Sequence, residues 1–134
     1  MLKGTLTANV LAMFTAGRAR PVRSEQIQAI KRIPLERFDV PGTHFETVIA
    51  MAEIAPNVAI GGSHTHPGLE SGYLLDGELV LIVHGVPNKT VHKGESYLIT
   101  FGATHEQKTG PKGAKVITTY VVEKGKPLAS PARQ

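Results

Sequence analysis

Cysteine is missing from this chain of 134 residues, and so is tryptophan. No disulfide can staple the fold, and no thiolate can ligate a metal or attack a substrate. Any metal site must therefore be built from nitrogen and oxygen donors. Aromatic residues make up only 5% of the chain, too few to interleave with a basic stripe. The 15 Lys and Arg are scattered and stand against 11 Asp and Glu, for a formal charge of +4. A nucleic-acid partner is not expected from that distribution. Long apolar runs are absent as well. The nearest thing to one, Leu6 to Ala16, is interrupted by Thr7, Asn9 and Thr15 and is too short to span a bilayer, so no membrane partner is expected.

Glycine (14) and proline (9) are plentiful, and they punctuate short runs of alternating or apolar residues. The runs Glu46 to Ala55, Gly72 to Leu75, Glu78 to His84, Ser96 to Thr100 and Ala114 to Glu123 read as strands. Asp76-Gly77 between two of them reads as a tight hairpin. Repeated short strands with such punctuation predict an all-β barrel or sandwich, here a jelly roll over residues 36–124, and the length allows one adequate core. Residues 1–35 differ. Lys3, the small apolar run and Gly17-Arg18-Ala19 read as an export signal over residues 1–19, which implies a periplasmic or secreted protein. Without such a signal the chain is cytoplasmic. Ser24 as an N-cap, with Ile27, Ile30 and Ile33 on one face, predicts a short helix over 24–32 that Pro34 ends. The tail 125–134, with Pro127 and Pro131, has no apolar pattern and is expected along the surface or without order.

The chemistry concentrates in Gly62-Ser63-His64-Thr65-His66-Pro67-Gly68-Leu69-Glu70. Two histidines two residues apart on extended backbone point to the same side of a sheet, so one metal can meet both rings. Pro67 and Gly68 break the strand and free Glu70 to return toward them. His105, after the strand-like run to Phe101 and a glycine turn, supplies the fourth donor. Three imidazoles and a carboxylate are a ligand set for a first-row divalent ion. His44, His84 and His92 lie in loops or at a strand end and read as exposed polar residues.

These segments resemble the two motifs of the cupin superfamily. The first runs G-x5-H-x-H-x3,4-E-x6-G and is matched by His64, His66, Glu70 and Gly77. The second runs G-x5-P-x-G-x2-H-x3-N and is matched by Gly94, Gly102 and His105. Val58 stands at the family's leading glycine, Thr100 at its proline and Thr109 at its closing asparagine, and none of those three positions ligates. The resemblance implies a small single-domain, quercetin-dioxygenase-like cupin, a double-stranded β-helix holding one divalent Fe, Mn, Ni, Zn, Co or Cu ion. It covers roughly Glu36 to Lys124.

Four protein ligands on an octahedral ion leave two adjacent positions open, which suits a bidentate ligand. A divalent ion with one carboxylate keeps a surplus positive charge and favours an enolate, catecholate or hydroxy acid. Tyr73 and Tyr97 are the candidate substrate contacts, with Glu106 beside a ligand but turned away by strand alternation. Ile49, Met51, Leu79, Leu81, Ile99 and Phe101 are the expected aliphatic and aromatic lining. A metal-dependent enzyme, dioxygenase-like or else a decarboxylase or isomerase, is one reading. A non-catalytic, metal-dependent small-molecule binder and a barrel braced by a structural metal are the others. Val116 to Val122 is apolar along almost its whole length, as a strand covered on both faces is, and this predicts a homodimer.

Overall fold

The computed structural model describes residues 29–133. Eight strands follow one another: β1 (Ile30–Asp39), β2 (Phe45–Ile54), β3 (Ala59–Thr65), β4 (Gly68–Val83), β5 (Lys89–His92), β6 (Ser96–Ile99), β7 (His105–Glu123) and β8 (Ser130–Pro131). Every pairing among them is antiparallel. The two longest strands, β4 of 16 residues and β7 of 19, each serve two layers. The half of β7 from Ala114 pairs with β2 and with Gly68 to Gly77 of β4. The half from His105 to Thr109 pairs with β3 and with Leu79 to Val83 of β4. One layer is thus β1-β2-β7-β4-β6 and the other β8-β3-β7-β4-β5, the jelly roll expected from the strand pattern. Leu74, Leu79, Val91 and Val116, each at most 1% exposed, form the core between the layers.

The bend that carries β4 from one layer to the other falls at Asp76-Gly77, where the β4–β7 register shifts. Gly77 has φ +79° and Gly113 opposite it has φ +66°, a backbone region that costs an L-residue about 1–2 kcal/mol. A Cβ on Gly77 would stand 2.1 Å from the Gly113 carbonyl oxygen, and one on Gly113 would stand 2.5 Å from the Ile54 carbonyl oxygen. Backbone crosses backbone there, and only glycine fits. This corrects the expected hairpin: the Asp-Gly pair kinks one continuous strand, because β7 stays hydrogen-bonded to β4 on both sides of it.

The N-terminal helix is corrected in part. Ser24 to Gln28 and the expected export signal over 1–19 lie outside the described residues, but Ile30, Lys31 and Arg32 are strand, paired with Ile54, Glu53 and Ala52. Pro34 does not end the element. It lies within β1, an edge strand where a missing N–H is tolerated, beside a register shift between Pro34 and Glu36. Pairing to β2 outweighs the weak helical spacing of the isoleucines. The tail does run along the surface, yet it is tied down: Ser130 and Pro131 pair with Thr65 and His64, and the Ala132 N–H donates to the Ser63 carbonyl at 3.1 Å.

Strand parity decides what faces the interior. Val116, Thr118 and Tyr120 of β7 point inward and lie opposite Ala52, Ala50 and Val48 of β2. Ile49 and Met51, expected in the cavity wall, therefore take the outer face, and Phe101 is 56% exposed in the turn before β7. Leu79, Leu81 and Ile99 do point inward, but they pack the core and do not line the cavity.

Candidate metal centre

His64 lies directly opposite His105 in the β3–β7 ladder, so both rings project to the same side. A register shift across Gly61 and Gly62 creates that alignment. His66 follows two residues later, just past the end of β3. Pro67 then ends the strand, and β4 restarts at Gly68 with Gly68, Glu70, Gly72 and Leu74 inward. The structure brings together the four residues singled out in the sequence: one donor atom of each lies within 4.8 Å of all the others. His66, Glu70 and His105 are buried and His64 is half-buried.

Hydrogen bonds behind the rings fix which nitrogen faces the centre. The Nδ1 atoms of His64, His66 and His105 lie 2.8, 2.6 and 3.0 Å from the carbonyl oxygens of Gly62, Leu128 and Ala103. A carbonyl can only accept, so each Nδ1 carries the hydrogen and each Nε2 keeps a lone pair. On the other side, Glu70 Oε1 accepts from the Tyr97 hydroxyl at 2.8 Å and from Gln107 Nε2 at 3.0 Å. Its Oε2 faces His66 Nε2 at 2.8 Å and His105 Nε2 at 3.3 Å. These are hydrogen-bond distances between atoms that have no hydrogen to share. His66 Nε2, Glu70 Oε2 and His105 Nε2 are indeed buried without a hydrogen-bond partner. Acceptors driven together in a buried place need a proton or a cation between them. The donor set, the converging lone pairs and the carbonyls that orient each ring fit a divalent metal ion.

The electrostatics follow from the same contacts. Burial opposes ionisation of Glu70, yet its contacts with His105, His66 and Tyr97 hold its carboxyl far below the ordinary carboxylate range. Burial and the charges of His105 and His66 lower the basicity of His64. Burial also opposes charge on His105, but the Glu70 and Ala103 hydrogen bonds raise its pKa. Burial beside the Glu70 charge pushes the Tyr97 hydroxyl well up, and the Tyr120 hydroxyl to about 12.

A cavity of about 320 Å³ opens over the cluster. Ile30, Ala52, Ile54, Ile60 and Val116 form its apolar wall, and Arg32, Gln107, Thr118, Tyr120 and Ser130 are its polar side chains besides the ligands. Residues 128–131 of the tail close one side. Tyr73, expected as a substrate contact, alternates outward on β4, is 48% exposed, and lies on the far side of the sheet from Glu70. Tyr97, the other expected substrate contact, is inward but stands behind Glu70, outside the lining of this cavity, where its hydroxyl holds the carboxylate. A Cβ on Gly72 would lie 2.2 Å from that ring, so glycine there makes room for it. Glu106 is turned away and lies 3.5 Å from Lys108. His84 is exposed, and exposed His44 and His92 face Glu123 and Glu78.

Gln107, Thr118, Tyr120, Arg32 and Leu128 were not anticipated. Alternation from His105 points to Gln107. Tyr120 and Thr118 sit in a strand whose two faces are alike in sequence, and nothing local marks the Leu128 carbonyl.

The sequence model of the cupin domain matches residues 50–123. No curated protein matches the chain. Among solved structures, the DMSP lyase DddQ from Ruegeria pomeroyi DSS-3 superposes with a TM-score of 0.67 at 13% identity, over 81% of this chain and 54% of that one. The polyketide cyclase RemF from Streptomyces resistomycificus gives 0.61 at 23%, over 80% and 73%. An oxalate oxidase in complex with the substrate analogue glycolate gives 0.58 at 23%, over 76% and 54%. The chain spans about half the length of the lyase and the oxidase. At these identities the likeness is one of fold alone.

Proposed function

The chain belongs to the cupin family, and from that premise we propose that it is a divalent-metal-dependent enzyme of dioxygenase type acting on a small anionic oxygen donor. The observation that carries the proposal is the convergence of His66 Nε2, Glu70 Oε2 and His105 Nε2, buried and without hydrogen-bond partners, at the floor of a cavity. His64, His66, Glu70 and His105 would hold the ion. When bound, it supplies Lewis acidity and, as iron or manganese, a redox centre able to use dioxygen.

The chain's own groups narrow the chemistry. Besides the cluster, the titratable side chains lining the cavity among the described residues are Arg32 and Tyr120. Tyr120, with its hydroxyl at about 12, donates a hydrogen bond at neutral pH and does not take a proton. Tyr97 and Gln107 hold the Glu70 carboxylate in place. No lining residue is a poised general base, which disfavours isomerisation or hydrolysis and suits a substrate that arrives already ionised and reacts with an oxidant. The aliphatic walls limit water around it. The same lack of an acid or base supports a second reading, a metal-dependent binder of such an anion without turnover. Lyase, cyclase and oxidase occur among proteins of this fold, so fold does not select between the readings.

Elemental analysis of the purified, untagged protein, beside a His64→Ala/His105→Ala variant, tests the site. We expect about one metal ion per chain in the parent and none in the folded variant. Oxygen uptake with enolate, catechol and hydroxy-acid substrates then separates enzyme from binder. A parent that takes up no metal even after reconstitution refutes both readings.

A further inference from the structure

Arg32 is the one cationic side chain in the lining of the cavity among the described residues. It sits in β1 opposite Ala52, a lining residue of β2, and this register turns its side chain to the cavity side. No carboxylate of the described residues lies within ion-pair distance of its guanidinium, whereas Arg37, five residues on, is paired with Glu46 at 2.6 Å. Arg32 is exposed at the mouth, while the ligand cluster is at the floor. Its charge is nevertheless felt inside, since it opposes part of the rise that burial imposes on the Tyr120 hydroxyl.

The space between these two positive poles is apolar: Ile30, Ala52, Ile54, Ile60 and Val116 flank it. Among the described residues Glu70 is the only carboxylate in the lining, and in the metal-bound protein the ion outweighs its charge. A guanidinium presents two parallel N–H groups to a carboxylate. We propose that Arg32 anchors the carboxylate of a short-chain acid whose second oxygen function, a hydroxyl, oxo or enol group, reaches the metal centre while its apolar body lies against the aliphatic wall. A cavity of about 320 Å³ matches a molecule of that size. A phosphate group fits less well, because its three oxygens call for more donors than the fork supplies, and the remaining polar lining is Ser130 of β8 and Gln107, Thr118 and Tyr120 of β7 across the cavity.

The inference rests on the metal-binding reading, and the test separates the two. Metal content is measured first, in the parent and in Arg32→Met and Arg32→Lys variants. Calorimetric titration of each reconstituted protein follows, with 4-oxopentanoate, its methyl ester and the corresponding phosphonate as probes. Unchanged metal content in the variants is expected, since Arg32 is not a ligand. The parent should prefer the acid to the ester by about 10- to 100-fold, the range of a hydrogen-bonded charge pair. Arg32→Met should abolish that preference and Arg32→Lys restore part of it. Equal preference in parent and Arg32→Met overturns the assignment, and so does tighter binding of the phosphonate. A parent that holds no metal overturns the metal reading and this inference with it.

Discussion

Replacing Glu70 with glutamine tests the central argument, because it changes one atom at the point where three acceptors meet. Glutamine keeps an oxygen for the Tyr97 and Gln107 donors and places an NH2 group where Oε2 now faces His66 Nε2 at 2.8 Å and His105 Nε2 at 3.3 Å. Two acceptor-to-acceptor contacts become hydrogen bonds. A buried acceptor without a partner costs about 1–3 kcal/mol, so the metal-free variant should exceed the metal-free parent by about 2 kcal/mol at pH 9. In a domain of this size that is about 8 °C in Tm.

Acid should erase the advantage. The pKa of His105 is raised in the folded protein, chiefly by Glu70 against the opposing effect of burial, so the native state binds that proton more tightly than the unfolded chain. The resulting stability is fully present below the ordinary histidine pKa of about 6.5 and is lost as pH rises through the higher folded value. The parent gains it and the variant, lacking the carboxylate, does not. The gap should close at pH 6. Metal should act in the opposite sense, stabilising the parent by about 2.7 kcal/mol at a hundredfold excess over Kd and the variant far less. Urea unfolding of chelator-stripped protein by circular dichroism, at pH 6 and 9 and with or without metal, reads all of these. A variant less stable than the parent by about 1 kcal/mol at pH 9, or one stabilised equally by metal, refutes the reasoning.

Tyr97→Phe removes one of the two donors to Glu70 Oε1, and about a tenfold loss of metal affinity is expected by competition with a chelating dye, with the fold intact. Ending the chain after Gly125 deletes β8 and the Leu128 carbonyl that orients His66. Metal affinity should then fall by about 10- to 100-fold, and an unchanged Kd would show that the tail does not position the ligand. The outer face of the β1-β2-β7-β4-β6 layer carries Ile117, Met51, Tyr73 and Leu98, the last 61% exposed. From it we predict a homodimer, seen by light scattering at micromolar concentration as twice the monomer mass and reduced to monomer by Leu98→Lys.

Local chemistry made part of this protein legible from sequence. The four metal-ligand candidates could be named because histidines two apart on extended backbone share a face, and a Pro-Gly break lets Glu70 rejoin them. The all-β class followed from short runs and glycine punctuation, which need no knowledge of distant partners. What stayed hidden was whatever depends on which strand lies alongside. Ile49 and Met51 are as apolar as Ala52 and Ile54, and only the ladder with β7 selects the second pair for the cavity. Tyr73 and Tyr97 carry the same side chain, but their strands aim one at solvent and the other at Glu70. Asp76-Gly77 supplies the same positive φ to a hairpin or a kink, and continued pairing with β7 makes it a kink. Gln107, Arg32 and the Leu128 carbonyl acquire roles only where distant segments meet around one cavity, Gln107 lying 37 residues from Glu70 and Leu128 62 from His66, because alternation fixes two faces for a strand and only its neighbours decide which is inside.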